Sequence, residues 1–142
     1  MINFKIILNV LGYLLIALSL VMLIPMIIDL GMGNNTWKSF ITSAIITFGF
    51  GVTFLISTRN EVNNKILMQD AFLITSLSWL SISIFAAFPF YFSEDGLDIT
   101  NSIFESMSGI TTTGSSVIQN VESLTEGCLL YTSDAADEGL GV

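Results

Sequence analysis

Three long stretches of this chain contain no charged side chain. They run from 6 to 28, from 39 to 58 and from 71 to 93, and most of their residues are apolar. As α-helices rising about 1.5 Å per residue they would be about 30–35 Å long, which matches a bilayer hydrocarbon core of about 30 Å. The pattern therefore predicts an all-α membrane protein with three transmembrane helices.

Two other interpretations of these stretches fit less well. Three buried helices of a soluble protein would have too little polar chain left to cover them. A cleaved signal peptide is the alternative for the first stretch. Its apolar run is longer than the usual 7–15 residues, and no small-x-small cleavage site follows it.

The composition removes several classes of function. Hydrophobic residues make up 52% of the chain and charged residues 11%, which is not the balance of an ordinary soluble domain. There is no histidine and one cysteine, Cys128, so an intrachain disulfide, a Cys/His zinc site and histidine-dependent catalysis are excluded, and we expect no enzyme. Four Lys/Arg against twelve Asp/Glu argue against a nucleic-acid partner.

The positive charges predict an orientation. Lys5 precedes the first stretch, Arg59 and Lys65 lie in the loop after the second, and Lys38 alone lies on the opposite side. Because cytoplasmic loops are enriched in Lys and Arg, we expect a multi-pass protein with a cytoplasmic N-terminus. Residues after 93 then emerge outside.

Small and hydroxyl-bearing residues in the stretches favour close helix packing over a solute path. On the second stretch these are Gly49 and Gly51. On the third they are Thr75, Ser76, Ser78, Ser81 and Ser83. Pro25 and Pro89 fall near the outer ends of their helices, where a lost backbone hydrogen bond matters least.

A shorter helix is predicted over 99–109. Its apolar residues recur at helical spacing, Asp98 is a candidate N-cap and Gly109 a candidate stop. About 11 residues span roughly 16 Å, or half a bilayer. Following an outside loop, such a helix is expected to enter the membrane and end near its middle, as a re-entrant half-helix.

The loop after this helix, TTTGSS at 111–116, contains no carboxylate. Irregular backbone at membrane depth is tolerated only where protein buries it or water bathes it. A run of carbonyls, turned to one side because Gly114 accepts a positive φ, can replace the hydration shell of a monovalent cation. The segment therefore predicts a cation selectivity filter.

The motif FESMSGITTTGSSVI (Phe104–Ile118) resembles the first pore loop of the Trk/Ktr potassium-uptake family. The resemblance implies four helix–pore-loop–helix units around one axis, preceded in the Trk branch by two extra helices. Residues 1–58 then correspond to the extra pair, and 59–127 to an incomplete first pore unit with its filter at 111–116.

The same resemblance implies the site and the partners. The ion contacts would be carbonyls of Thr111, Thr112, Thr113 and Ser115, with Gly114 as the filter glycine. The cargo would be potassium, with sodium as a second candidate and no other metal. A homodimeric pore in a prokaryotic plasma membrane and a cytosolic nucleotide-binding regulatory subunit are implied as well.

The chain departs from the family after 127. Family members would continue into a long apolar helix, whereas this chain reads CLLYTSDAADEGLGV, which resembles translated sequencing-adapter read-through. We interpret 128–142 as a non-native or disordered tail, a genuine polar tail being the alternative. Since one loop cannot surround an ion, the isolated chain is predicted not to conduct.

A second hypothesis is a small accessory or assembly membrane protein without transport activity. Residues 99–118 would then form an amphipathic helix and loop at the membrane surface. The two hypotheses differ in the depth at which this segment lies. Under the pore hypothesis, Glu105 is expected to cap or pack behind the short helix and not to touch the ion.

Overall fold

The computed structural model describes residues 4–58, 68–93, 96–111, 113, 115–117 and 125–133. In these ranges all regular secondary structure is helical. The helices are α1 (Phe4–Val21), α2 (Leu23–Met32), α3 (Trp37–Thr58), α4 (Met68–Ala86), α5 (Phe88–Tyr91), α6 (Ile99–Ile110) and α7 (Glu126–Ser133).

Three helical segments are long and apolar enough to cross a membrane. They are Phe4–Met32, formed by α1 and α2, Trp37–Thr58, which is α3, and Met68–Tyr91, formed by α4 and α5. The three predicted transmembrane helices are thereby confirmed, and their ends differ from the predicted ones by at most four residues.

Both prolines interrupt the helix in which they lie. The first span breaks at Met22, three residues before Pro25, and the third breaks at Ala87, two residues before Pro89. A proline has no N–H to donate, and its ring crowds the carbonyl four residues earlier. The first and third spans are therefore each divided into a long helix and a shorter helix that follows it.

The spans bury polar side chains and expose apolar ones. Asp29, Ser43, Thr47 and Asp70 are fully buried, while large apolar side chains such as Phe72, 72% exposed, face outward. Apolar side chains such as Leu15 are buried as well, but this much exposed apolar surface together with buried acids is unlike a water-soluble protein. It suits a bilayer, in which polar groups must be satisfied within the protein and lipid covers the apolar surface.

The first two spans cross closely at two glycines. A Cβ atom at Gly51 would lie 3.0 Å from the carbonyl oxygen of Gly12, and one at Gly12 would lie 3.0 Å from that of Gly51. Gly49 instead faces open space. The predicted packing role is therefore confirmed for Gly51 and wrong for Gly49, since the two lie on different sides of α3.

Helix α7 packs against α2 and α6. It occupies the first part of the stretch 128–142 that the sequence predicts to be a non-native or disordered tail, and residues 134–142 lie outside the described ranges. The predicted division of the chain into extra helices, pore unit and tail stays a prediction.

Candidate functional site

The predicted short helix is present as α6, one residue longer than expected. Asp98 is its N-cap residue, although its side chain makes no capping hydrogen bond. The first turn is closed instead by the Ser102 N–H, which donates to the Asp98 carbonyl at 2.8 Å. At the other end the helix continues through Gly109 and stops at Ile110.

The polar side of α6 faces the protein and its apolar side faces outward. Ser102, Glu105, Ser106 and Ser108 are buried. The exposed side chains include Ile99, Ile103, Phe104 and Met107. Helix α6 therefore has an inverted polarity, with its polar side buried and its apolar side exposed.

Hydrogen bonds at Ser83 fasten α6 to α4. The Ser106 hydroxyl donates to the Ser83 carbonyl at 2.7 Å, and the Ser83 hydroxyl lies 2.9 Å from the Met107 sulfur. Thr75 and Ser76, from the same predicted series, donate to carbonyls of their own helix. The packing role predicted for that series is thus confirmed at Ser83.

The beginning of the loop folds back on the end of α6. The Thr111 hydroxyl donates to the Met107 carbonyl at 2.7 Å, and the Thr113 N–H donates to the Ser108 carbonyl at 3.0 Å. The hydroxyls of Thr111 and Thr113 are also 2.7 Å apart. These bonds fix where the loop leaves the helix.

Three of the five predicted filter residues, Thr111, Thr113 and Ser115, are described, and all three are exposed. They border an open pocket of about 260 Å³ together with Phe104, Met107 and Ser108. Thr112 and Gly114 lie outside the described residues. The assignment of these five residues to an ion stays a prediction.

Oxygen atoms are the ligands that this segment offers to a cation. Threonine and serine hydroxyls and backbone carbonyls suit a monovalent cation that must be released quickly. In the described part of the chain no three His, Cys, Asp or Glu side chains are grouped so as to hold a metal ion.

Glu105 connects α6 to the end of the loop. Its buried carboxylate accepts hydrogen bonds from the Ser116 hydroxyl, at 3.0 and 3.1 Å from its two oxygens, and from the Val117 N–H at 3.1 Å. We expected Glu105 behind the helix, but these bonds were not predicted. One indication that Glu105 has a special role was present in the sequence, since it is the one charged residue in α6.

A second buried carboxylate, Asp29, lies near the C-terminal end of the first span. It accepts hydrogen bonds from the hydroxyls of Thr36 and Thr125 and from the Gly127 N–H, the last at 2.8 Å. In the sequence Asp29 marks only the end of an apolar run. In the structure it joins the first span to the start of α7.

The environment of Cys128 makes its thiol unreactive. Burial, followed by the negative charges of Asp29 and Glu105, raises the pKa of Cys128 to about 12. The thiol is therefore neutral at physiological pH. Nearby, the Tyr131 ring contacts Phe40 and Phe90, with both centroid distances at 5.5 Å.

Comparison with known proteins places this arrangement in a family. The sequence profile of TrkH, described as a cation transport protein, matches residues 36–141. TrkH, the Trk system potassium uptake protein of Halomonas elongata, is 34% identical over 130 residues, which are 91% of this chain and 27% of the relative. The Escherichia coli K12 protein of the same name is 32% identical over the same shares.

A solved structure has the same fold. The crystal structure of the potassium transporter TrkH from Vibrio parahaemolyticus superposes with a TM-score of 0.88 and 26% identity, covering 94% of this chain and 29% of that one. The chain thus spans little more than a quarter of the length of the relatives it matches. With its three apolar spans and a family match over most of its length, the chain belongs to the TrkH family of multi-pass membrane proteins.

Proposed function

We propose that this chain is the N-terminal part of a potassium-uptake pore, in which α6 is a re-entrant pore helix and residues 111–116 form the first filter loop. The family match and the fold support the general assignment. The length of α6, 12 residues, supports the specific one, because about 18 Å of helix reaches roughly half-way through a bilayer.

The inverted polarity of α6 is the observation that carries the proposal. A helix lying on a wet surface would turn Ser102, Glu105 and Ser106 toward water and hide Ile103 and Phe104. Helix α6 does the opposite and satisfies Glu105 and Ser106 with partners inside the protein. A helix immersed in the membrane requires this arrangement, since lipid offers no hydrogen bonds.

The proposed mechanism is selective dehydration without covalent chemistry. Carbonyl oxygens of Thr111, Thr112, Thr113 and Ser115 replace water around a potassium ion, and Gly114 lets successive carbonyls face one side. Membrane potential drives the flux. Sodium is the second candidate ion. A complete ring of oxygens needs three further loops, which the rest of the longer protein would supply.

The remaining proposals follow from the charges and the family. Lys5, at the start of the first span, and Arg59 and Lys65, between the second and third spans, lie on one side of the membrane, and Lys38 alone lies on the other. This excess of positive charge favours a cytoplasmic N-terminus. We place the chain in a prokaryotic plasma membrane. The complete protein would form a homodimer and associate with a cytosolic nucleotide-binding regulatory subunit.

A chimaera tests this function. Residues 1–127 would replace the matching N-terminal part of E. coli TrkH, and growth at low potassium would be measured in a strain deficient in potassium uptake. We expect the chimaera to restore growth and Gly114→Val to abolish it, because a β-branched residue opposes a positive φ. Gly49→Ala, which faces open space, is the control and should grow normally.

The outcomes separate the hypotheses. A chimaera that reaches the membrane without restoring growth would contradict the proposed function and favour an accessory protein. Growth of the Gly114→Val variant equal to that of the control would refute the filter assignment. The 142-residue chain alone should not restore growth, and rescue by it would overturn the claim that one loop is insufficient.

A further inference from the structure

We propose that Glu105 is a positioning residue that holds the distal end of the filter loop and thereby sets ion discrimination. This inference rests on the proposed function. Glu105 does not contact the ion in this account. It acts through Ser116 and Val117, the two residues that follow the predicted ion contacts.

The loop is held to one helix at both of its ends. At the proximal end, Thr111 and Thr113 bond to carbonyls of Met107 and Ser108. At the distal end, the Ser116 hydroxyl and the Val117 N–H bond to Glu105. Both ends of the predicted filter are thus attached to the last two turns of α6.

The hydrogen-bond donors around position 105 explain why a buried glutamate is stable there. A buried carboxylate is unfavourable unless hydrogen bonds compensate its lost hydration. Glu105 is only 4% exposed, yet α6 carries no other charge. Both of its oxygens accept a hydrogen bond, and one of the donors is a backbone N–H that an apolar residue at 105 would leave without this acceptor.

Loss of these hydrogen bonds is expected to affect ion selectivity more than the rate of transport. Potassium and sodium differ in radius, so discrimination depends on how well the coordinating oxygens keep their number and separation. Releasing Ser116 and Val117 lets the loop close around the smaller ion. Loss of Glu105 should therefore reduce the preference for potassium over sodium more than it reduces total uptake.

The transport experiment uses the chimaera described above. Rubidium uptake, as a potassium substitute, and sodium uptake would be measured for Glu105→Ala, Glu105→Gln and the control Asp98→Ala, an exposed acid at the start of α6 whose side chain makes no capping bond. We expect Glu105→Ala to lower the rubidium-to-sodium ratio about tenfold or more.

Glu105→Gln should keep the ratio within about threefold, because the amide oxygen still accepts from Val117 and the amide N–H₂ can donate to the Ser116 hydroxyl. Asp98→Ala should leave the ratio unchanged. Equal losses of both ions in Glu105→Ala, with an unchanged ratio, would mean a merely structural role and would overturn the proposal.

A second measurement uses the intact 142-residue chain in lipid nanodiscs and does not depend on transport. Hydrogen exchange at the Val117 amide should accelerate about tenfold or more in Glu105→Ala, and less in Glu105→Gln. An unchanged exchange rate at the Val117 amide in Glu105→Ala would refute the contact between Glu105 and Val117, even if the chimaera transports. If the exchange result is as expected but the unmodified chimaera does not transport, the proposed function is contradicted. The contact between Glu105 and the loop would still be established.

Discussion

Replacing Gly51 by alanine is expected to weaken the packing of α3 against α1. The added Cβ would lie 2.8 Å from Ile16 Cγ1, 3.0 Å from the Gly12 carbonyl oxygen and 3.1 Å from the Ile16 nitrogen. The Ile16 side chain can rotate away, but the other two atoms are backbone. The helices must therefore separate by a few tenths of an ångström.

The magnitude follows from two opposing effects. Overpacking of this kind typically costs about 1–3 kcal/mol, while alanine in a helix is favoured over glycine by about 1 kcal/mol. The net loss for Gly51→Ala is then about 0–2 kcal/mol. Gly49→Ala, on the same helix with no atom within 4 Å of the added Cβ, keeps only the favourable effect. The two variants should differ by about 1–3 kcal/mol.

The assay is reversible unfolding of the chain by sodium dodecyl sulfate in mixed micelles, followed by the fluorescence of Trp37 and Trp79. The free energy of unfolding would be compared for Gly51→Ala, Gly49→Ala and the unchanged chain. Gly12→Ala should resemble Gly51→Ala, because its Cβ would lie 3.0 Å from the Gly51 carbonyl oxygen. Equal free energies for Gly51→Ala and Gly49→Ala would refute the close crossing.

Two further predictions concern the end of the described chain. Asp29→Ala should lower the free energy of unfolding by about 2–3 kcal/mol and speed exchange of the Gly127 amide, since that buried N–H loses its charged acceptor; unaffected Gly127 exchange would contradict the contact. Cys128, with its pKa raised from 9.0 to about 12, should react with a maleimide at pH 8 about a thousandfold more slowly than an ordinary thiol, with the rate still rising tenfold per pH unit above pH 9. Labelling as fast as that of an unfolded control would show that the thiol is not buried.

The spans and α6 could be predicted from the sequence because their signals are local. A charge-free run of about 20 residues identifies a membrane helix by length alone, and the spacing of apolar residues identifies α6. Even the inverted polarity of α6 is compatible with that periodicity, because the pattern defines two faces without saying which one is buried.

What the sequence could not predict depends on contacts between distant residues. Gly49 and Gly51 look alike in the sequence, and only the crossing of α1 over α3 distinguishes them. Asp29 meets Thr125 and Gly127 across nearly a hundred residues, and Glu105 meets Val117 across a loop. No periodic pattern encodes which donors a buried carboxylate will find after the chain has folded.

Measuring how deep the loop lies in the membrane tests most directly whether α6 is re-entrant. Thr113→Cys and the control Thr100→Cys would be compared in a Cys128→Ser background of the full chain in lipid vesicles. Both positions are exposed on the protein, so protein packing does not distinguish them. A bulky, membrane-impermeant maleimide added on the side of residue 100 would report their accessibility.

We expect the cysteine at 100 to react rapidly and the one at 113 to react at least about tenfold more slowly. Helix α6, rising about 1.5 Å per residue, carries position 113 roughly half-way into the bilayer. In detergent after unfolding, the two rates should become equal. Equal and rapid labelling in intact vesicles would place α6 at the membrane surface and contradict the filter assignment.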